Sequence, residues 1–190
     1  MACALRARMN ERGFTLIEVL TATAVLTTAA LAGAQLLIFT THAMRHARVQ
    51  TSTAALASTR MEQLRALTWT FEIDGSPLSD RSTDLSVSPP AASGTGLSLS
   101  PPGALEANTP GFADFLDERG DWVGSGTVVP PAAVFVRRWS VEIPADGAAD
   151  TLVLQVLVRR VVDDIVSAGG LEGGGRGASR FVTVRTRTVR

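Results

Sequence analysis

The chain has no lysine and no tyrosine, a single cysteine, and only 5% aromatic residues. All 18 basic side chains are arginine. That is a compositional bias, since no site chemistry excludes lysine everywhere. They balance 18 acidic residues, so net charge gives no reason to expect nucleic acid as a partner. With few aromatics, any core must be built mostly of Val, Leu and Ala. One thiol, Cys3, allows no intramolecular disulfide, and no lipobox cysteine follows the apolar stretch. No Gly-x-Ser-x-Gly, phosphate loop or nucleophile–base pair is present, so a periplasmic enzyme has no supporting constellation. Proline is absent from Met1 to Ser76.

What is present begins with a short basic start, residues 1–13, carrying Arg6, Arg8 and Arg12 against Glu11. From Glu18 to Arg45 runs a stretch of 26 uncharged residues. A helix needs roughly 20 apolar residues to span the hydrocarbon core, so this run suffices, although Thr21, Thr23, Thr27 and Thr28 temper it. The leading arginines place the N-terminus in the cytoplasm and the bulk of the chain outside. Two readings compete. An ordinary secretory signal peptide would be cut after the small residues near Ala30–Ala34. A retained membrane helix better accounts for Glu18, because a carboxylate costs a few kcal/mol at mid-bilayer and marks function or a protein partner. A plainer role for Glu18 is to snorkel to the lipid headgroups.

Gly13-Phe14-Thr15-Leu16-Ile17-Glu18-Val19-Leu20 resembles the processing motif of type IV prepilins and pseudopilins. The resemblance implies cleavage between Gly13 and Phe14 by a prepilin peptidase, and N-methylation of the new Phe14 amine. It also implies that Glu18 neutralises the N-terminal amine of a neighbouring subunit in a helical filament. Further partners implied are an inner-membrane assembly platform and the inner-membrane lipid, with the C-terminal domain periplasmic. No cofactor and no metal is expected. Residues 54–65 resemble, more softly, a stretch of PilV-like minor pilins and of minor pseudopilins of the I and J types. The implied role is a minor subunit of a type IV pilus or a type II secretion pseudopilus. The alternative is a secreted or surface-anchored β-domain binding protein with an ordinary export signal.

The organisation expected is a leader over 1–13, a transmembrane helix over 14–40, and the amphipathic half of that helix over 41–70. A Pro/Ser/Gly-rich loop region over 71–111 and an antiparallel sheet over 112–190 follow. The helix should run from Phe14 to about Thr68, about 80 Å at 1.5 Å per residue. Met44, Ala47, Ala54, Ala57, Met61, Leu64 and Leu67 recur on one face, with Arg45, Arg48, Arg60, Glu62 and Arg65 mostly off it. Residues 74–111 hold six prolines and read as loop with one or two short strands. Asp117–Gly120 reads as a hairpin turn, though Asp114, Asp117, Glu118 and Asp121 are also candidate calcium ligands. Strands are expected over Val134–Ile143, Leu152–Val162 and Phe181–Val189, with glycine-rich sequence joining the last two. In the last, Val182 and Val184 share one face and Arg185 and Arg187 the other. The Arg137-Arg138 and Arg159-Arg160 pairs should each place one arginine on each sheet face. Asp163-Asp164 reads as a solvated turn. His42 and His46 stand four apart, a spacing able to bind zinc, but no third ligand accompanies them. The whole is an α+β fold of pilin type: one long N-terminal helix, membrane-spanning then amphipathic, on a 3–4-stranded antiparallel sheet.

Overall fold

The computed structural model describes residues 14–145, 147, 150–168 and 177–189. The leader with Gly13 and Cys3, and most of the glycine-rich segment before the last strand, lie outside these residues. The chain divides into two compact units, 1–45 and 46–190.

Helix α1 spans Leu16–Ala66. Thr15 caps its start, with the amide of Glu18 within 3.3 Å of Thr15 Oγ1. Glu18 lies in the first turn and Arg65 in the last, each matched in sign to the helix dipole. Beyond it come β1 (Trp69–Phe71), β2 (Pro77–Ser79), β3 (Ala113–Leu116), β4 (Trp122–Ser125), β5 (Phe135–Glu142) and β6 (Thr151–Arg160). A second helix α2 (Val161–Ala168), then β7 (Ser179–Thr186) and β8 (Thr188–Val189), complete the described elements.

Five strands form one antiparallel sheet in the order β4-β3-β5-β6-β7. A second sheet, β2-β1-β8, adds a parallel pair, Thr70 beside Thr188 and Phe71 beside Val189. The helix-on-antiparallel-sheet architecture therefore holds, with more strands than the three to four expected.

One face of the large sheet packs on the helix. In β6 the buried residues are Leu152, Leu154, Val156 and Val158, the alternation that the sequence showed. Trp139, Val141, Phe135 and Phe181 share that face through their register with β6. From the helix come Thr53, Ala57, Arg60, Met61 and Leu64. Met44 and Ala47, expected on the same stripe, are instead exposed, because coverage of the helix begins only near Val49. Arg60, expected outside the stripe, is buried within it.

The opposite face of β5 is covered by residues of the proline-rich region. Arg138 on that face reaches Leu105 O and Asn108, and at the edge of β5 beyond β3 the Ser100 amide donates to Val141 O at 2.9 Å. Covered on both faces, β5 has seven of its eight residues buried. The loop region is thus a packed layer, with Leu85, Leu97, Ala104 and Leu105 in the interior. Short Asx turns hold it: Asp80 Oδ1 accepts from the amides of Ser82 and Thr83, and Asp84 Oδ1 from Ser86.

Three local expectations change. Alternation stops at Arg160, and Val161–Ala168 turns into α2, with Asp163 and Asp164 in its first turn, where negative charge is favoured. Asp164 is not a solvated turn residue: it pairs with Arg138 at 2.5 Å and Arg159 at 3.3 Å. The last strand breaks at Arg187 into β7 and β8, and Val182 and Val184 face outward, more than half exposed.

Candidate functional site

The N-terminal segment is defined by what it lacks around it. Phe14, Leu16, Ile17, Val19 and Leu20 are all exposed, as are Val25, Leu26, Leu31, Leu36, Leu37, Ile38 and Phe39. A soluble chain would bury such a row. Its hydropathy and length suit a membrane crossing.

The threonines are accommodated by hydrogen bonding within the helix. Thr21 Oγ1 donates to the Ile17 or Glu18 carbonyl, each at 3.0 Å. Thr23, Thr27 and Thr28 do the same to carbonyls three or four residues back. Each hydroxyl thereby finds an acceptor in its own helix, so none enters lipid unsatisfied. The tempering effect expected of these threonines is correspondingly reduced.

Phe14 precedes the helix and is 81% exposed. Thr15 and Glu18 occupy the N-cap and N3 positions, the Thr-x-x-Glu spacing of a capping box. Glu18 thus has a local reason to sit where it does, and its exposed side chain remains available to a second molecule. Both capping residues lie within the Gly13–Leu20 motif, so the same positions carry the helix start. Gly13, the other residue of the expected cleavage site, lies outside the described residues.

A second constellation was not foreseen. Asp114, fully buried on β3, sits between two arginines. Its Oδ2 accepts from Arg60 Nη2 at 2.5 Å and Arg137 Nη2 at 2.6 Å, and its Oδ1 accepts from Arg137 Nε at 3.0 Å. Arg60 also donates to Leu85 O and lies over the Trp139 ring at 4.5 Å. Arg137 donates to Leu56 O at 3.3 Å. This cluster joins the second half of α1, β3, β5 and the loop. Burial lowers the Arg60 pKa to about 10, with Asp114 pulling it up and Arg137 pushing it down.

Asp114 is therefore turned away from the candidate calcium set. Asp117 closes the β3–β4 turn, its Oδ1 accepting from the amides of Arg119 and Asp121. Gly120 there has φ +90°, a conformation that favours glycine. Arg137 and Arg138 do point to opposite sheet faces, but both are buried and paired. His42 and His46 are exposed. Among the described residues, no three His, Cys, Asp or Glu side chains converge on a metal position.

The prokaryotic N-terminal methylation motif matches residues 8–34, which cover Gly13, Phe14 and Glu18. No curated protein and no solved structure matches the chain. The motif supports processing by prepilin peptidase, and with the apolar helix it fits a single-pass membrane-anchored protein. The chain carries the signature of type IV pilins and pseudopilins.

Proposed function

We propose that this chain is a minor pilin or minor pseudopilin subunit of a type IV pilus or a type II secretion pseudopilus. Prepilin peptidase cuts between Gly13 and Phe14 and methylates the Phe14 amine. The subunit waits in the inner membrane with its C-terminal domain in the periplasm, and an assembly platform then extracts it into a helical filament.

The carrying observation is Glu18, an exposed carboxylate in the first turn of α1, followed by 26 uncharged residues whose large apolar side chains stand exposed. In a low-dielectric bundle, its attraction to an amine on the next subunit is far stronger than in water. An unpaired Glu18 would be penalised there, which favours one axial register. The packed 97–111 region and the five-stranded sheet give the subunit its own head surface, as a specialised subunit needs.

The test is Glu18→Ala, with Glu18→Gln beside it, expressed with the rest of its filament system. The expected result is normal export and processing with loss of the subunit from purified filaments. If both variants are recovered in filaments at the wild-type level, the pairing role is wrong. A change in export efficiency alone would favour the binding-protein reading.

A further inference from the structure

A cleft of about 470 Å³ opens beside β1, well inside the size range of small-molecule sites. Trp69, Leu97, Leu99, Ile143 and Leu152 supply apolar walls, and Leu99 and Ile143 stand substantially exposed at its rim. Only a few polar groups enter it, and two of them are cationic, Arg81 and Arg187.

The two arginines differ. Arg187 is over nine-tenths buried, stacked 3.5 Å from the centre of the Trp69 ring. Its Nη1 donates to Thr70 O at 2.9 Å and Leu78 O at 2.8 Å. Its Nε is buried without a hydrogen bond, although Asp150 Oδ1 stands 3.4 Å away as an ion-pair partner. That Nε is sealed from solvent, so a molecule in the cleft meets the guanidinium as a charge whose present counter-ion is Asp150. Arg81 is exposed at the cleft and makes no ion pair among the described residues. The cleft therefore combines an apolar body with an exposed Arg81 at its rim, which makes no ion pair among the described residues, and an Arg187 paired with Asp150 in its wall.

We propose that this cleft binds a small monoanion with a compact apolar body, of the aliphatic or aryl carboxylate class. The apolar part lies against Leu97, Leu99 and Ile143, and the carboxylate sits between Arg81 and Arg187. This site is independent of the filament reading, because no cleft residue belongs to the N-terminal segment.

The experiment uses the full chain in nanodiscs of zwitterionic lipid, with 4-phenylbutyrate as probe. The uncharged amide and the cationic amine of the same skeleton are controls. Tryptophan fluorescence and the methyl resonances of Leu97, Leu99 and Ile143 report occupancy. The carboxylate should shift these signals saturably, the amide should bind about 10-fold or more weakly, and the amine should not bind. Arg81→Gln should weaken carboxylate binding about 10-fold while leaving the spectrum of the core unchanged. Ile143→Glu, which sets a carboxylate at the mouth, should abolish binding. Absence of a saturable carboxylate response overturns the proposal. So does equal binding of the amide, or unchanged affinity in Arg81→Gln.

Discussion

Replacing Asp114 by asparagine keeps the shape of the buried cluster and removes the carboxylate that both arginines hold. Arg60 and Arg137 would then face each other in the interior with an amide between them. Oδ2 accepts from both guanidinium groups and Oδ1 from one. Either orientation of the amide therefore presents an N–H to at least one donor. Removing one partner of a buried ion pair costs about 3–5 kcal/mol. Domains are stable by only about 5–15 kcal/mol, so the loss is a large fraction of the total. At about 2–4 °C per kcal/mol, Tm should fall by roughly 6–20 °C.

Urea and thermal unfolding followed by tryptophan fluorescence measure this, since Trp139 lies under Arg60. The sign is checked by the triple variant Arg60→Met, Asp114→Leu, Arg137→Met. Replacing a whole buried ionic cluster by apolar residues is often neutral or stabilising, so the triple variant should lie well above Asp114→Asn. A pH series adds a second check. The folded pKa of Arg60, about 10, is below the ordinary arginine value, so the folded chain holds that proton less tightly than the unfolded chain. Stability from this group therefore rises as pH climbs above about 10. A loss under about 1 kcal/mol in Asp114→Asn would refute the reasoning, because it would mean that neither arginine depends on the carboxylate.

Gly120→Ala should destabilise by about 1–3 kcal/mol, read from the urea midpoint. Its φ is +90°, and an added Cβ would stand 2.9 Å from Leu56 Cδ2. The Thr83 hydroxyl, at 2.6 Å, is the main reason that the Asp80 carboxyl is held below its ordinary 3.8, followed by the Ser82 and Thr83 amides. A depressed carboxyl stabilises above its unfolded value and loses that contribution as pH falls from 3.8 downward. Asp80→Asn should accordingly flatten the acid limb of the stability profile below pH 3.8. The Glu18→Ala filament test is the fourth expectation.

The sequence made legible whatever rests on period and on contiguous motif. The 26-residue uncharged run, the absence of proline to Ser76, and the alternation of Leu152, Leu154, Val156 and Val158 each correspond to an observed element. The Asp117–Gly120 turn was legible because its chemistry is local. What was not legible depends on side chains distant in the chain. Arg60 shares a helical face with Ala57, Leu64 and Leu67, but its charge reads as solvent-facing, and the carboxylate that pairs with it in the interior, Asp114, lies 54 positions away. The same holds for Arg187, whose partners on β1 and β2 lie 117 and 109 positions back. Helix α2 was missed because a short apolar run after a strand reads as more strand. Its switch of period needs the acidic pair to be seen as a helix start. In the proline-rich region, composition indicated loop correctly but could not show that the loop covers β5.

The central claim is that Phe14 becomes the first residue of the working protein. Intact-mass and N-terminal sequencing of the chain purified from a membrane with an active prepilin peptidase test it most directly. The account predicts a chain beginning at Phe14 and carrying one extra methyl group on its amine. A chain that keeps Met1, or one that begins at Gly33 or Gln35, would contradict it.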